Sequence, residues 1–265
     1  MATKKTKKPS VAVYKFSSCD GCQLSILNLE DELLDLVDAV EIAYFLEARR
    51  LTQPGPYDIV LVEGSVSTED EVERIKEIRR SAGILIALGT CATAGGVQAL
   101  RNFGDVEAFT EIVYEHPEYI EALPTSTRIA DHVKVDLELW GCPVNKREVL
   151  EVLAAFLQNR RPNLAQYSLC LECKRKGIPC VTVAYGMPCL GPIVRSGCGA
   201  LCPAHGRGCY GCFGPLDSAE VEAFIPVLRA HQRYPGEAVR LLRTISGNAP
   251  IFVEAAQMID AQEEN

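Results

Sequence analysis

The sequence predicts an α/β chain in two parts. The first is a doubly wound parallel sheet with helices on both faces; the second is an irregular cysteine-rich segment closed by helices. Two observations carry this. Short apolar runs alternate with helix-like stretches through residues 11–160. Eight of the twelve cysteines then crowd between Leu169 and Phe213, where no hydrophobic period is visible.

Val11–Phe16 is a short apolar run followed by the loop Ser17-Ser18-Cys19-Asp20-Gly21-Cys22. Leu24 to Val37 is leucine-rich and long enough for one helix. Val40–Leu46 and Asp58–Val62 read as buried strands. Thr68 and Glu71 have the spacing of a capping box, and Val72, Ile75 and Ile78 repeat behind them at helical spacing. Ile84–Leu88 is a further buried strand, ended by Gly89-Thr-Cys-Ala-Thr-Ala-Gly-Gly96. Val133–Leu139 alternates and ends at Gly141-Cys142-Pro143. Asn145 and Glu148 have the spacing of a second capping box, before the stripe Val149, Val152, Leu153, Phe156 and Leu157. Strand and helix in alternation imply a parallel sheet.

Arg160 to Asn163 reads as the boundary, giving units of 10–162 and 163–265. Residues 165–216 are rich in Cys, Gly and Pro. Without apolar periodicity they are expected to build no core of their own, and metal ligation would supply the missing folding energy. Helical spacing returns at Val221, Phe224, Ile225 and Leu228. The acidic tail 260–265 is expected to fray.

The chain has 265 residues, 48% of them hydrophobic, and a net charge of −8. This is a globular composition whose acidity argues against nucleic acid or an anionic membrane surface as partner. No stretch reaches the length of a membrane span. The basic start, Met1 to Lys8, is followed by no apolar region of signal-peptide length, and the arginine pairs are internal. A reducing cytoplasm is the expectation, and there cysteine clusters are metal sites more often than disulfides.

Cys19, Cys22, Cys91 and Cys142 each follow a predicted strand. In an open parallel sheet the loops after the strands gather at one edge, so four thiols distant in sequence converge. Glycines accompany them and let backbone approach a bulky inorganic cluster. Glu63 ends another strand at that edge and reads equally as a solvated acid or as a group beside the cluster.

The other eight form C-x2-C-x6-C-x8-C and C-x3-C-x6-C-x2-C. Sequential grouping gives Cys170, Cys173, Cys180 and Cys189, then Cys198, Cys202, Cys209 and Cys212; an interleaved grouping is also open. Four thiolates suit a [4Fe–4S] cluster or a structural zinc, and spacing alone does not separate them. The first set, on a doubly wound sheet, favours iron. With every set filled by Cys, His205 reads as structural and Trp140 as packing.

Ser18-Cys-Asp-Gly-Cys22, Glu63-Gly-Ser65, Gly89–Gly96 and Gly141-Cys-Pro143, in this order, resemble the small subunit of [NiFe] hydrogenases over roughly residues 10–215. The resemblance implies a flavodoxin-like first domain whose Cys19, Cys22, Cys91 and Cys142 hold a proximal cluster. That cluster would face the Ni–Fe site of a separate large subunit. It also implies a distal cluster on Cys170, Cys173, Cys180 and Cys189 and a medial one on Cys198, Cys202, Cys209 and Cys212. Exported members have a His as first distal ligand and three medial cysteines. Here Cys170 and Cys202 stand in those places, implying three [4Fe–4S] clusters. The missing twin-arginine leader likewise resembles the cytoplasmic, multimeric group with flavin, NAD(P)-linked or ferredoxin-type iron–sulfur reductase subunits. The first domain also resembles the quinone-module iron–sulfur subunit of respiratory complex I. That family typically has adjacent cysteines where Ser18-Cys19 stands and lacks the further eight. The remaining rival is a zinc-stabilised interaction module.

Overall fold

The computed structural model describes residues 8–263. The basic start at 1–7 and the last two residues of the acidic tail lie outside them.

The chain runs β1 (Ser10–Lys15), α1 (Gly21–Leu27), α2 (Asp31–Ala39), β2 (Glu41–Phe45), β3 (Tyr57–Glu63), α3 (Glu69–Ser81), β4 (Ala82–Leu88), α4 (Gly89–Ala94), α5 (Val106–Val113), β5 (Leu137–Leu139) and α6 (Lys146–Leu157). The five strands form one parallel sheet in the order β2-β1-β3-β4-β5. This is the flavodoxin-like order, and its switch point lies between β1 and β3.

Alternation along each strand loads both faces. Val11, Val13, Ile59, Leu61, Ile86 and Leu88 pack with Ile26 of α1, Leu36 of α2 and Val152 of α6. Ala12, Val60, Val62, Leu85 and Ala87 pack on the other face with Ile75 and Ile78 of α3. A side-chain period of two makes this register costly to slip.

The sheet's details depart from expectation in three places. The single helix expected over Leu24–Val37 is two, α1 and α2, broken around Glu30, whose φ is +56°. Leu29, fully buried in the core, sits in the break. β5 covers only Leu137–Leu139 of the expected Val133–Leu139. Before it, the Asp136 carboxylate accepts the Leu85 N–H at 2.8 Å, so a side chain takes a ladder position. The capping boxes are half formed. Thr68 Oγ1 accepts from Glu71 N–H at 3.2 Å, but Glu71 reaches back to Ser67 N–H. Asn145 caps α6 through Arg147 N–H, while Glu148 lies toward Glu172 and the Gly197 turn.

The second part contains α7 (Leu169–Arg175), α8 (Val181–Tyr185), α9 (Leu201–Ala204), α10 (Val221–Ala230), α11 (Glu237–Arg243) and α12 (Pro250–Glu263). The cysteine-rich segment does join an apolar core, contrary to expectation. Leu169, Leu190, Ile193 and Phe213 pack with Ile225, Leu242, Phe252 and Ile259 of the later helices. These residues are too sparse in sequence to show a period, yet each burial of this size contributes about 1.5–3 kcal/mol. The tail is ordered further than expected: α12 continues to Glu263, and Asp260 pairs with Arg243 at 2.6 Å. Trp140 packs as expected, in that core and against Gly214, where a Cβ would lie 2.0 Å from its ring.

Candidate metal centres

The sheet's carboxyl edge gathers the first four cysteines. Cys19 and Cys22 follow β1, Cys91 lies in α4 after β4, and Cys142 follows β5. Their thiols raise one another. Burial and then Cys142 push Cys91 up to about 12, with Cys19 and Glu63 adding to it. Burial, then Cys19 and Glu63, raises Cys142. Cys22 is raised by burial, then by Glu63, with Cys91 contributing.

The space around these sulfurs is kept open by glycine. At Gly89 (φ +84°) a Cβ would lie 2.3 Å from Cys22 Sγ, and at Gly96 (φ +61°) one would lie 2.5 Å from Cys91 Sγ. Only glycine meets both demands, a left-handed backbone and bare space beside a thiol.

Glu63 is 1% exposed, so it is not a solvated acid. It accepts from Cys22 N–H at 2.9 Å and from Gln23 Nε2 at 2.8 Å. Gln98 lies on the other side, 3.4 Å from Cys91 Sγ, and donates to Ser17 O at 2.7 Å.

The second group is Cys170, Cys173, Cys180 and Cys189. Cys173 is pushed up to about 11 by burial and then by Cys170, Cys189 and Cys180. A Cβ on Gly191 would lie 3.3 Å from Cys189 Sγ and 3.6 Å from Cys170 Sγ. The third group is Cys198, Cys202, Cys209 and Cys212. Cys212 is pushed up to about 12 by burial, then by Cys198, with Cys142 and Cys202 following. Cys209, almost wholly buried, is raised by burial and then by Cys189, Cys212 and Cys198, while Gly211 N–H, 3.4 Å from its sulfur, opposes the rise.

The third group touches both others. Cys209 N–H donates to Cys189 Sγ at 3.2 Å. Thr90 Oγ1 donates to Cys212 O at 2.6 Å, and Thr90 N–H to Gly141 O at 2.9 Å, which joins the Cys91, Cys142 and Cys212 loops.

Two residues hold the Cys198 turn: Glu172, which sequence reasoning missed, and Asn145, which it read only as a helix cap. Glu172, between Cys170 and Cys173, accepts Gly197 N–H and Ala200 N–H, both at 3.0 Å. Asn145 Nδ2 donates to Gly197 O at 2.6 Å. The only sequence signal for this role was position, Glu172 inside a C-x-x-C and Asn145 three residues after Cys142. His205, read as structural, is exposed on the wall of a cleft.

Twelve thiols in three groups, with space held beside the sulfurs, suit iron–sulfur clusters. Among the described residues no three His, Cys, Asp or Glu side chains close on a point able to hold one ion. A single zinc requires its sulfurs about 2.3 Å from one centre. A cubane spreads four thiolates over four irons.

The family described as NADH ubiquinone oxidoreductase, 20 Kd subunit, matches residues 19–156. Sulfhydrogenase 2 subunit delta of Pyrococcus furiosus is 38% identical over 237 residues, covering 89% of this chain and 98% of that one. A subunit of the F420-non-reducing hydrogenase of Methanocaldococcus jannaschii is 34% identical over 239 residues, covering 79% of this chain and 83% of that one. Among solved structures, a chain of an NAD+-reducing [NiFe]-hydrogenase superposes with a TM-score of 0.55 at 29% identity, covering 59% of this chain and 95% of that one. A chain of the actinobacterial-type NiFe-hydrogenase from Ralstonia eutropha H16 shares the fold at a TM-score of 0.57 and 19% identity, over 98% and 92%. The two curated relatives above, which cover 89% and 79% of this chain, are hydrogenase subunits. The chain belongs to the 20 Kd subunit family and, within it, to the small, electron-transfer subunits of [NiFe] hydrogenases.

Proposed function

We propose that this subunit carries three [4Fe–4S] clusters and links a Ni–Fe large subunit to a flavin- or iron–sulfur-containing reductase. Cys19, Cys22, Cys91 and Cys142 would hold the proximal cluster. Cys198, Cys202, Cys209 and Cys212 would hold the medial one, and Cys170, Cys173, Cys180 and Cys189 the distal one. When bound, the clusters supply one-electron storage and transfer.

The observation that carries the order is the middle position of the third group. Cys212 is coupled to Cys142 of the first group, and Cys209 donates to Cys189 of the second.

The chain's own contribution is to hold and insulate. Glu63 fixes the Cys22 loop, Thr90 ties the first and third groups, and Glu172 fixes the Cys198 turn. Division at 162/163 into a sheet domain and a cluster domain is part of the reading. Two cores flank the sheet, and the third, beneath the cysteine-rich segment, also takes in Ala94 and Trp140 from before that boundary. A reductase partner fits a relative named as a subunit of an NAD-reducing hydrogenase. A cytoplasmic location and NAD(P)-linked or ferredoxin-type partners are part of the same proposal. Among the described residues no helix is long and apolar enough to cross a membrane.

Anaerobic iron and sulfide analysis with EPR tests the proposal. About twelve irons per chain are expected, four to each thiolate set. A stable oxidised three-iron signal in fresh protein would remove Cys202 as a ligand. A colourless, zinc-containing protein would refute the relay.

A further inference from the structure

Residues 169–212 carry Lys174, Arg175, Lys176, Arg195 and Arg207 against one carboxylate, Glu172, in a chain of net charge −8. Glu172 is turned inward onto the Cys198 turn. Arg195 is paired with Asp217 and lies over the Trp140 ring, but Lys174, Arg175, Lys176 and Arg207 are exposed, so the solvent side of the segment is cationic.

A cleft of about 600 Å³ opens on it, with Met187, Arg207 and Tyr210 among its lining residues, together with Tyr234 and Arg240. Arg240 lies over the Tyr234 ring at 5.1 Å. Glu237 in the same cleft is held by Arg233 at 2.6 Å; among the described ion pairs neither Arg207 nor Arg240 has a partner.

Cluster-bearing backbone lies against this cleft. Pro188 and Gly208, which precede Cys189 and Cys209, both line it. Leu190 N–H donates to Cys209 O at 3.1 Å, binding the two loops together. Just before Met187, α8 exposes Val183 (86%) and Tyr185 (60%). Exposed apolar side chains next to unpaired arginines form the centre and rim of a docking face.

We propose that this face docks the acidic surface of the electron-transfer protein that exchanges electrons with the Cys189 end of the relay. The inference rests on the relay reading and adds the partner's chemistry. Opposite charge steers encounter and fixes register. Apolar surface outside the cleft favours a protein over a small anion. Arg207 and Arg240 are exposed and remain available to a partner. Because Arg207 also pulls the Cys202 thiol down, against the rise that burial causes, the cluster potentials of the cleft variant are measured beside its rate.

The test uses the full, cluster-loaded chain, reduced with dithionite and freed of excess. It is mixed by stopped flow with an oxidised acidic two-cluster ferredoxin or with basic cytochrome c. One electron passes per event, and no bond or proton changes. The double variant Arg207→Glu/Arg240→Glu is compared with Arg50→Glu/Arg80→Glu, an equal charge change at exposed sites of the sheet region.

The ferredoxin rate should fall as salt rises. It should also fall about tenfold or more in the cleft variant. The control pair should keep most of it. Equal losses in both variants, or a cytochrome rate that is the one favoured by low salt, would overturn the docking face. So would inhibition by inorganic pyrophosphate that disappears in the cleft variant while the ferredoxin rate is unchanged, since that marks a small-anion site. A chain whose visible absorbance does not bleach with dithionite would overturn the relay reading and the docking face together. Bleaching without charge dependence would overturn the docking face alone.

Discussion

The Glu63 carboxylate is locked to the backbone of Cys22, whose N–H donates to Oε1 at 2.9 Å. Glu63 ends β3 and Cys22 lies in α1, so this bond spans the switch point between β1 and β3. Glu63→Gln turns one acceptor oxygen into a donor facing Cys22 N–H or Gln23 Nε2. Leaving a buried donor unpaired costs about 1–3 kcal/mol. Thermal unfolding of the loaded chain should shift down accordingly, and the EPR signal of the first set alone should change. An unchanged spectrum would make Glu63 a purely structural residue.

Gly89→Ala places a Cβ 2.3 Å from Cys22 Sγ at a φ of +84°. The first set should fail to load while the other two load normally. Iron per chain should drop by about a third. Full iron content would show that the Cys22 thiol can move aside.

Glu172→Ala frees the N–H groups of Gly197 and Ala200. Bonds to a charged acceptor contribute about 1.5–3 kcal/mol each. Hydrogen exchange at these amides should accelerate about tenfold or more, with exchange in β1 and β3 unaffected. Unchanged exchange would mean that the turn is held by Asn145 and Lys176 alone.

Burial, and then the Glu172 carboxylate, pushes Glu148 up to about 7, against a smaller opposing pull from Arg195. The folded chain therefore binds this proton more tightly than the unfolded chain. Between the ordinary carboxylate range and about pH 7, stability falls as pH rises. Above that window the full cost remains, about 1–2 kcal/mol after allowance for solvent screening. Glu148→Gln should raise the melting temperature at pH 8 and leave it unchanged near pH 4. A lower melting temperature at pH 8 would show that the ionised carboxylate makes a stabilising contact.

The sheet edge was legible because each of Cys19, Cys91 and Cys142 follows an apolar run short enough to be a strand, and parallel strands send their following loops to one side. The split between α1 and α2 was not. The leucines of 24–37 fit one helix equally well, and only the three-dimensional core selects the break at Leu29. β5 was overextended because alternation does not reveal that Asp136 would replace a backbone partner. Thr90, Gln98 and Glu172 stayed hidden because their contacts to the cysteine loops are single hydrogen bonds across the fold, with no period or spacing to mark them. The core beneath the cysteine-rich segment was missed because its apolar residues find partners on α10–α12, later in the chain.

The central claim is that this chain transfers electrons between chemistries performed elsewhere, and Cys209→Ser in the assembled complex tests it most directly. Serine oxygen is a poorer cluster ligand than thiolate. Reduction of the physiological acceptor by H2 should fall strongly. Isotope exchange between H2 and water, a reaction of the large subunit, should survive. Loss of exchange in a fully assembled, nickel-loaded Cys209→Ser complex would contradict the relay role of that set.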